Sequence, residues 1–217
     1  MHFYLFLNSG NSLKSLLDEV KLEMKKEGGV YMKKAAILVA PGFEECETLT
    51  IVDIIRRANL QCDMFGFDKV VEGGHQIIVQ CDKVVNPELI DYDMVILPGG
   101  YEGVANLKAS LEVINILHEM NVRGKYICAM CAAPIVLEHA NLLDNKKYTA
   151  YRGYDQKIKQ GHYLDDKVVI DGNIVTSRGP ATAYAFAYKL VDLLGGDSLA
   201  IKKRMVYFNA FDVKEDE

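Results

Sequence analysis

Short runs of apolar residues alternate with stretches of helical periodicity from residue 35 onward. The apolar runs are predicted to be strands over residues 35–40, 62–67, 94–97, 126–128 and 148–151. The stretches between them are predicted to be helices over residues 45–59, 107–121, 133–143 and 181–194. Because strands with little polar alternation are typical of sheets covered on both faces, the pattern predicts an α/β fold with a mostly parallel sheet.

Two other segments, residues 76–85 and 168–176, have the pattern of hairpins or edge strands. Asp171-Gly172 separates two β-branched runs in the second segment, which is a strong signal for a tight turn. The connections between predicted elements are short, and no internal repeat is evident. One doubly wound domain over residues 32–217 is therefore favoured over two domains.

Residues 1–31 differ from the rest of the chain and are predicted to be an N-terminal extension. Apolar residues recur in them at helical spacing, which is consistent with an appended amphipathic helix. In a bacterial gene, Lys26-Glu27-Gly28 can be encoded by a purine-rich ribosome-binding sequence just upstream of Met32. We therefore hypothesise that Met32 is the true start, and that residues 1–31 are an appendage or a misassigned start.

Composition excludes several classes of protein. The 217 residues include 25 basic and 30 acidic side chains, a net charge of −5 that gives no general attraction to nucleic acid or to an anionic membrane. No apolar run has the length of a transmembrane helix, and the N-terminus lacks the basic region of a secretory signal. The five cysteines are odd in number and scattered, which favours reduced thiols and a cytoplasmic location.

Unusual residues follow four of the predicted strands, at residues 41–47, 98–100, 129–134 and 177–180. Ligand sites in open α/β sheets form at the carboxyl ends of strands. Cys131 lies in one of these turns, among small residues and before Pro134, and we expect it on a tight elbow that points into the cleft. A following helix N-terminus would favour its thiolate. The alternative is a small buried cysteine that only fills the turn.

The neighbouring turns offer partners for this thiol. Two glycines at Gly99 and Gly100 would let backbone N–H groups approach an oxyanion closely. Glu47 is predicted to point back toward the cleft and, beside a thiolate, to be protonated and donate a hydrogen bond to sulfur. Glu44 and Glu45 are expected to be solvated residues of a first helical turn.

Cys128 and Cys131 form a Cys-x-x-Cys pair, for which a redox dithiol is the alternative interpretation. Cys128 falls inside the predicted buried strand, so its side chain is expected to point away from the elbow. No second Cys/His pair has the spacing of a zinc site, and we predict no metal.

Four ordered motifs resemble the ThiJ/PfpI superfamily, and within it most closely the Parkinsonism-associated protein deglycase (DJ-one-like) branch. They are AILVAPGFEECE at 36–47, VILPGG at 95–100, CAAP at 131–134 and TSRGP at 176–180. The resemblance extends from Met32 almost to the C-terminus. It implies a flavodoxin-like three-layer sandwich, a homodimer, and a reactive cysteine that oxidises to sulfenic or sulfinic acid.

The resemblance also assigns roles to individual residues. Cys131 matches the family's nucleophile and Glu47 its partner acid, while Gly99, Gly100 and Ala132 match the backbone donors. Arg57 resembles a family arginine near the dimer interface, and Arg178 lies in the motif beside the site. Tyr151 occupies the position where some members have a histidine. Ala132 replaces the histidine of the peptidase-like branch, which argues against a protease.

Two functions follow as hypotheses. The first is a cofactor-independent deglycase or glyoxalase-type enzyme, in which Cys131 attacks reactive carbonyls or early glycation adducts of amines and thiols. The second is a redox sensor or redox-regulated chaperone, whose output is oxidation of Cys131 to sulfinate. A structural family member with a silent site is a third possibility.

Overall fold

The structure is a computed structural model that describes residues 32–208 and residue 210. The predictions for residues 1–31 therefore lie outside the described residues, and the division into 1–31 and 32–217 stays a prediction. The described residues from Lys33 onward belong to one compact unit. Among the helices described, none is both long and apolar enough to cross a membrane.

Eleven strands are present in the part of the chain that the structure describes. They are β1 Lys34–Val39, β2 Gln61–Gly66, β3 Val70–Glu72, β4 Ile78–Gln80, β5 Lys83–Val84, β6 Met94–Leu97, β7 Tyr126–Met130, β8 Lys147–Tyr148, β9 His162–Tyr163, β10 Val168–Asp171 and β11 Ile174–Ser177. Seven of them form the main sheet, in the order β10-β11-β7-β6-β1-β2-β5. All its pairings are parallel except that of β10 with β11.

The central strands are covered on both faces, as the sequence predicts. Every residue of β6 is buried, and β1 and β7 are buried after their first residue. Such burial of consecutive side chains is possible because helices flank the sheet. The strands β11, β7, β6 and β1 are successive neighbours, so the turns at their carboxyl ends lie side by side.

Six α-helices connect or cover these strands within the described residues. They are α1 Glu45–Arg57, α2 Tyr101–Ala109, α3 Leu111–Val122, α4 Pro134–His139, α5 Ala183–Leu193 and α6 Ser198–Arg204. Helix α1 packs against α5, which contacts α6, while α2 contacts both α3 and α4. The flavodoxin-like three-layer α/β sandwich with a mostly parallel sheet is thus confirmed.

Two sequence predictions about elements are wrong. The single helix over 107–121 is two helices, because the Ser110 side chain accepts a hydrogen bond from the Val113 N–H and starts α3 anew. The segment 148–151 is not a strand of the main sheet. Only Tyr148 and the residue before it pair, with β9, and the chain then turns toward Cys131.

The predicted hairpins are present in modified form. Strands β10 and β11 form the hairpin expected over 168–176, with Asp171 opposite Ile174 across the turn. The segment 76–85 instead contributes β4 to a two-stranded sheet with β3, and then β5 to the edge of the main sheet.

Candidate active site

Cys131 lies on a sharp turn directly after β7. Its φ of 60° is in the left-handed region, which non-glycine residues rarely occupy outside such turns. The neighbouring strand and loop hold it there, because the Cys131 N–H donates to the Ser177 carbonyl at 3.0 Å and its carbonyl accepts from the Tyr151 N–H at 2.8 Å. Only 8% of the residue is exposed. The elbow predicted from the small residues around Cys131 is present.

Glu47 is completely buried in the first turn of α1. The Glu44 side chain caps that turn by accepting a hydrogen bond from the Glu47 N–H at 2.6 Å. One carboxylate oxygen of Glu47, Oε2, accepts from the Gly99 N–H at 2.7 Å, and the carboxyl group also hydrogen-bonds the Cys131 thiol. Oε1 has no hydrogen-bond partner among the described residues. The acid is therefore directed at the cysteine by a backbone donor from a third element.

The pKa values of Glu47 and Cys131 are both raised, so each group favours its protonated form. Burial raises the pKa of Glu47 from 4.5 to about 7, against the opposing hydrogen bonds from Gly99 and Cys131. Burial, and then the negative charge of Glu47, raise the pKa of the Cys131 thiol. The site therefore holds one negative charge more readily than two. Near neutral pH the Glu47 carboxyl group changes its protonation state, whereas the raised pKa of Cys131 keeps the proton on sulfur.

This corrects the expectation that a helix N-terminus favours the Cys131 thiolate. Helix α4 has six residues and starts three positions after Cys131, whereas the buried Glu47 carboxyl is in contact with the thiol. Burial and an adjacent carboxylate outweigh the one donor that opposes them, the Ala132 N–H on sulfur. The structure instead agrees with the expectation that Glu47 is readily protonated.

The predicted role of Gly99 also changes. Its N–H is occupied by Glu47, so it positions the acid and is not a free oxyanion donor. A Cβ on Gly99 would lie 2.6 Å from the Cys131 Cβ and 2.9 Å from its Sγ, which explains why this position has no side chain. The Ala132 N–H already contacts sulfur and Gly100 follows with a φ of 96°, so these two remain the predicted oxyanion donors.

The structure brings Tyr151 and Arg178 to the site but places Arg57 elsewhere. Tyr151 is 50% exposed, and its N–H is bonded to the Cys131 carbonyl. Arg178 lines a cavity together with Tyr151. Arg57 is at the far end of α1 from Glu47, about 15 Å along the helix axis, where it pairs with Asp53 at 2.6 Å.

Sequence reasoning missed the pair formed by the buried Glu45 and the exposed His75. Glu45 is 3% exposed, and its carboxylate accepts from the His75 N–H at 2.5 Å and contacts the ring Nδ1 at 2.8 Å. Burial opposes ionisation of Glu45, but the bonds from His75 outweigh it and lower its pKa, and the same bond raises the pKa of His75. Glu45 is thus not the solvated residue that its position in a first turn suggests.

The one feature of the sequence that could have indicated this pair is the Gly73-Gly74 turn directly before His75. A Cβ on Gly73 would lie 2.3 Å from the Glu45 Oε1, so only glycine permits the approach. Glu44, Glu45 and His75 are also the one group of described residues with ligand atoms close enough for a metal. The oxygens of both acids already accept backbone N–H groups.

The remaining cysteines are free thiols outside the site. Cys46 is exposed, whereas Cys62, Cys81 and Cys128 are buried. Cys128 lies within β7 with no exposed surface, and burial raises its pKa well above the ordinary value. Cys128 and Cys131 therefore do not form a redox pair in this structure, and both are free thiols.

These features define a flavodoxin-like α/β protein with a cysteine on a strained strand-to-helix elbow beside a buried acid. The sequence profile of the DJ-1/PfpI family matches residues 33–193. The chain belongs to the DJ-1/PfpI family, which confirms the resemblance seen in its four motifs.

Individual relatives agree with this assignment. The chain is 35% identical to Protein dj-1beta of Drosophila melanogaster over 173 residues, or 76% of this chain and 90% of that protein. The crystal structure of Drosophila DJ-1beta superposes with a TM-score of 0.77 over 81% of this chain and 98% of the other, at 33% identity.

Two further relatives differ in how they are described. Deglycase PH1704 of Pyrococcus horikoshii is 31% identical over 167 residues, covering 74% of this chain and 99% of that protein. The structure of oxidized Toxoplasma gondii DJ-1 superposes with a TM-score of 0.76 at 28% identity, over 80% of this chain and 98% of the other.

Proposed function

We propose that the protein is a cysteine-dependent enzyme of the deglycase or glyoxalase type, which acts on reactive carbonyls or their early adducts with amines and thiols. The observation that carries the proposal is the hydrogen-bonded pair of Cys131 and a completely buried Glu47 whose pKa is about 7. A nucleophile beside an acid that exchanges protons at neutral pH is the arrangement that carbonyl addition needs. The similarity to a protein described as a deglycase supports the same class.

The first chemical step uses the pair directly. The Cys131 proton passes to the Glu47 carboxylate, and the thiolate adds to the aldehyde carbon of a 2-oxoaldehyde. The new C–S bond forms as the carbonyl π electrons move to oxygen, where the Ala132 and Gly100 N–H groups would stabilise the charge. Glu47 then returns its proton to that oxygen, which gives a hemithioacetal. With an amine or thiol adduct, that amine or thiol leaves as Cys131 takes its place.

The second step regenerates the thiol. Glu47 removes the hydrogen on C1 as a proton and returns it to C2, while the hydroxyl proton moves from the C1 oxygen to the C2 oxygen, which converts the hemithioacetal into a thioester of a 2-hydroxy acid. Water then hydrolyses the thioester and releases the acid. Aldehyde and water are converted to hydroxy acid without net oxidation, and the steps use only side chains and backbone groups of this chain. No cofactor is required by this mechanism.

Replacement of Cys131 tests the function. We expect Cys131→Ser to lower lactate formation from methylglyoxal by at least about 100-fold, the scale on which removal of a covalent nucleophile acts. Cys46→Ser is the matched control, because Cys46 is exposed and outside the site, and it is expected to retain activity. Full activity of Cys131→Ser, in a preparation free of other glyoxalases, would contradict the proposal.

A redox sensor or redox-regulated chaperone is the second candidate function. The same thiol, held by Glu47 and the Ala132 N–H, is placed where a sulfinate could accept these hydrogen bonds. The oxidized form of the Toxoplasma gondii relative supports this candidate. Intact mass after mild peroxide treatment separates the two functions. Selective addition of two oxygens at Cys131 without carbonyl turnover favours the sensor, and turnover with little oxidation favours the enzyme.

Three properties of the whole protein belong to the proposal as well. We expect a homodimer, the assembly implied by the resemblance, and light scattering of the purified protein measures it. A cytoplasmic location is expected from the reduced cysteines. The expected partners are small carbonyl compounds or glycated amines and thiols, and neither nucleic acid nor membrane.

A further inference from the structure

A cavity of about 380 Å³ lies at the turn after β11, and Gly179, one of its lining residues, lies close to Cys131. Arg152, Lys167 and Arg178 line it, together with Tyr151 and the segment from Gly179 to Thr182. A Cβ placed on Gly179 would lie 4.0 Å from the Cys131 Sγ and 3.3 Å from the Tyr151 ring. A molecule that reaches Cys131 from this side therefore meets the cationic wall of the cavity.

The charges of this wall are only partly neutralised. Arg178 pairs with Asp165 at 2.5 Å, and the Asp165 side chain is 71% exposed. Neither Arg152 nor Lys167 has a carboxylate within ion-pair distance among the described residues. The residues that line the cavity include three cations and no acid, in a chain whose net charge is −5. Such a local excess attracts anions and raises their concentration at the cleft.

We infer that this cavity is an anion subsite, and that the carbonyl substrate of Cys131 carries a carboxylate or a phosphate group. The inference deepens the proposed function and rests on it, because the bound anion is a substrate only if the protein is the proposed enzyme. Guanidinium groups match the planar geometry of carboxylate and phosphate, and Lys167 adds a mobile charge at the rim. The apolar surfaces of Tyr151 and Pro180 would contact the part of the molecule between its anionic group and its carbonyl carbon.

Alkylation of Cys131 tests the subsite without requiring turnover. Iodoacetate and iodoacetamide both transfer a carbon to sulfur with loss of iodide, but only iodoacetate carries a carboxylate. The ratio of their rates at Cys131, read by peptide mass spectrometry, cancels the fraction of thiolate. Division by the same ratio for 2-mercaptoethanol removes the intrinsic difference in reactivity between the two reagents. We expect this normalised ratio to exceed one in the wild type and to fall about fivefold in Arg152→Gln/Lys167→Gln, the scale of two partly exposed charges.

Two controls complete the experiment. Arg204→Gln removes an exposed charge that lines no part of this cavity, and the ratio is expected to stay unchanged. Raising the salt concentration to about 1 M shortens the screening length to ~3 Å and is expected to lower the wild-type ratio toward that of the double variant. An equal ratio in the wild type and the double variant at low salt would overturn the subsite.

Turnover measurements then separate the two sources of anion and the two proposals. Hemithioacetals of methylglyoxal with N-acetylcysteine and with its neutral amide compare a carboxylate with no charge, and those with 2-mercaptoethyl phosphate, which keeps a free thiol, test a phosphate. A normal alkylation preference without turnover of any adduct would contradict the proposed enzyme and keep the subsite. Turnover with no preference for either anion, together with an unchanged alkylation ratio, would contradict the subsite and keep the enzyme.

Discussion

The contact between Cys131 and Glu47 depends on a group outside the pair, the Gly99 N–H, which fixes the Glu47 carboxylate at 2.7 Å. Sequence identified all three residues, because each follows a strand in an unusual turn. It could not assign the Gly99 donor to the acid, since that assignment depends on distances between residues far apart in the chain. For the same reason the raised pKa of Cys131 was not foreseen.

Replacement of Gly99 by alanine tests this arrangement at the scale of one residue. The added Cβ would lie 2.8 Å from the Glu47 Oε2 and 2.9 Å from the Cys131 Sγ, so both groups must move. We expect turnover to fall about 100-fold, as misplacement by about 1 Å does, and stability to fall by about 1–3 kcal/mol. Steady-state kinetics and urea unfolding measure the two effects.

Gly74→Ala is the matched control for this substitution. A Cβ there meets its nearest neighbour, the Gly42 carbonyl oxygen, at an ordinary 3.5 Å. Activity is expected to stay within about twofold of the wild type, since nothing must move. If Gly99→Ala were as active as Gly74→Ala, the close packing around Cys131 would not be needed for the reaction.

At the scale of elements, regular strands and long helices were predictable because burial on two faces and helical periodicity leave clear patterns. The division of the predicted helix at Ser110 was missed, since a serine at the end of one helix and the start of the next leaves the apolar pattern almost unbroken. The β3–β4 hairpin was also missed as a separate sheet. Its position depends on hydrogen bonds from its loop to Phe43 and Glu45, which no local pattern records.

The attachment of this hairpin to α1 is expected to depend on pH. The folded-state pKa of His75 is raised by Glu45, so the ion pair stabilises the attachment fully below the unfolded pKa of about 6.5. This contribution is lost as the pH rises through the higher folded pKa. We therefore expect the protection factors of amides in β3 and β4, corrected for intrinsic exchange, to fall over that range in hydrogen-exchange measurements.

His75→Ala should remove the pH step and give low protection throughout. His162→Ala is the control, because His162 is exposed and its backbone N–H, not its ring, donates the hydrogen bond to the Lys146 carbonyl. A pH step of the same size in His75→Ala would assign the titration to another group.

At the scale of the whole molecule, the order of motifs along the chain was enough to predict the fold, since four turns of a parallel sheet must meet at one edge. The cationic cavity was not predicted. Arg152 and Lys167 belong to irregular segments whose approach to Arg178 depends on the course of the chain after β7.

The free energy of unfolding of the whole protein is expected to depend on pH because Glu47 is buried. The pKa of Glu47 is about 7 in the folded protein against 4.5 for an ordinary glutamate. A group whose pKa is higher in the folded than in the unfolded protein contributes stability at a pH below its unfolded pKa. This contribution is lost as the pH rises through the folded pKa. Between these limits the wild type is expected to lose about 3 kcal/mol in the free energy of unfolding relative to Glu47→Gln. Urea unfolding of both proteins across this range measures the difference, and parallel curves would show that Glu47 ionises normally.

The most direct test of the account is the mass of the covalent intermediate. Protein mixed with methylglyoxal is quenched in acid during turnover, and its peptides are analysed by mass spectrometry. We predict a lactoyl group on Cys131, formed and lost at the rate of lactate production, and none on the exposed Cys46. Lactate production at the full rate with Cys131 unmodified throughout would contradict it.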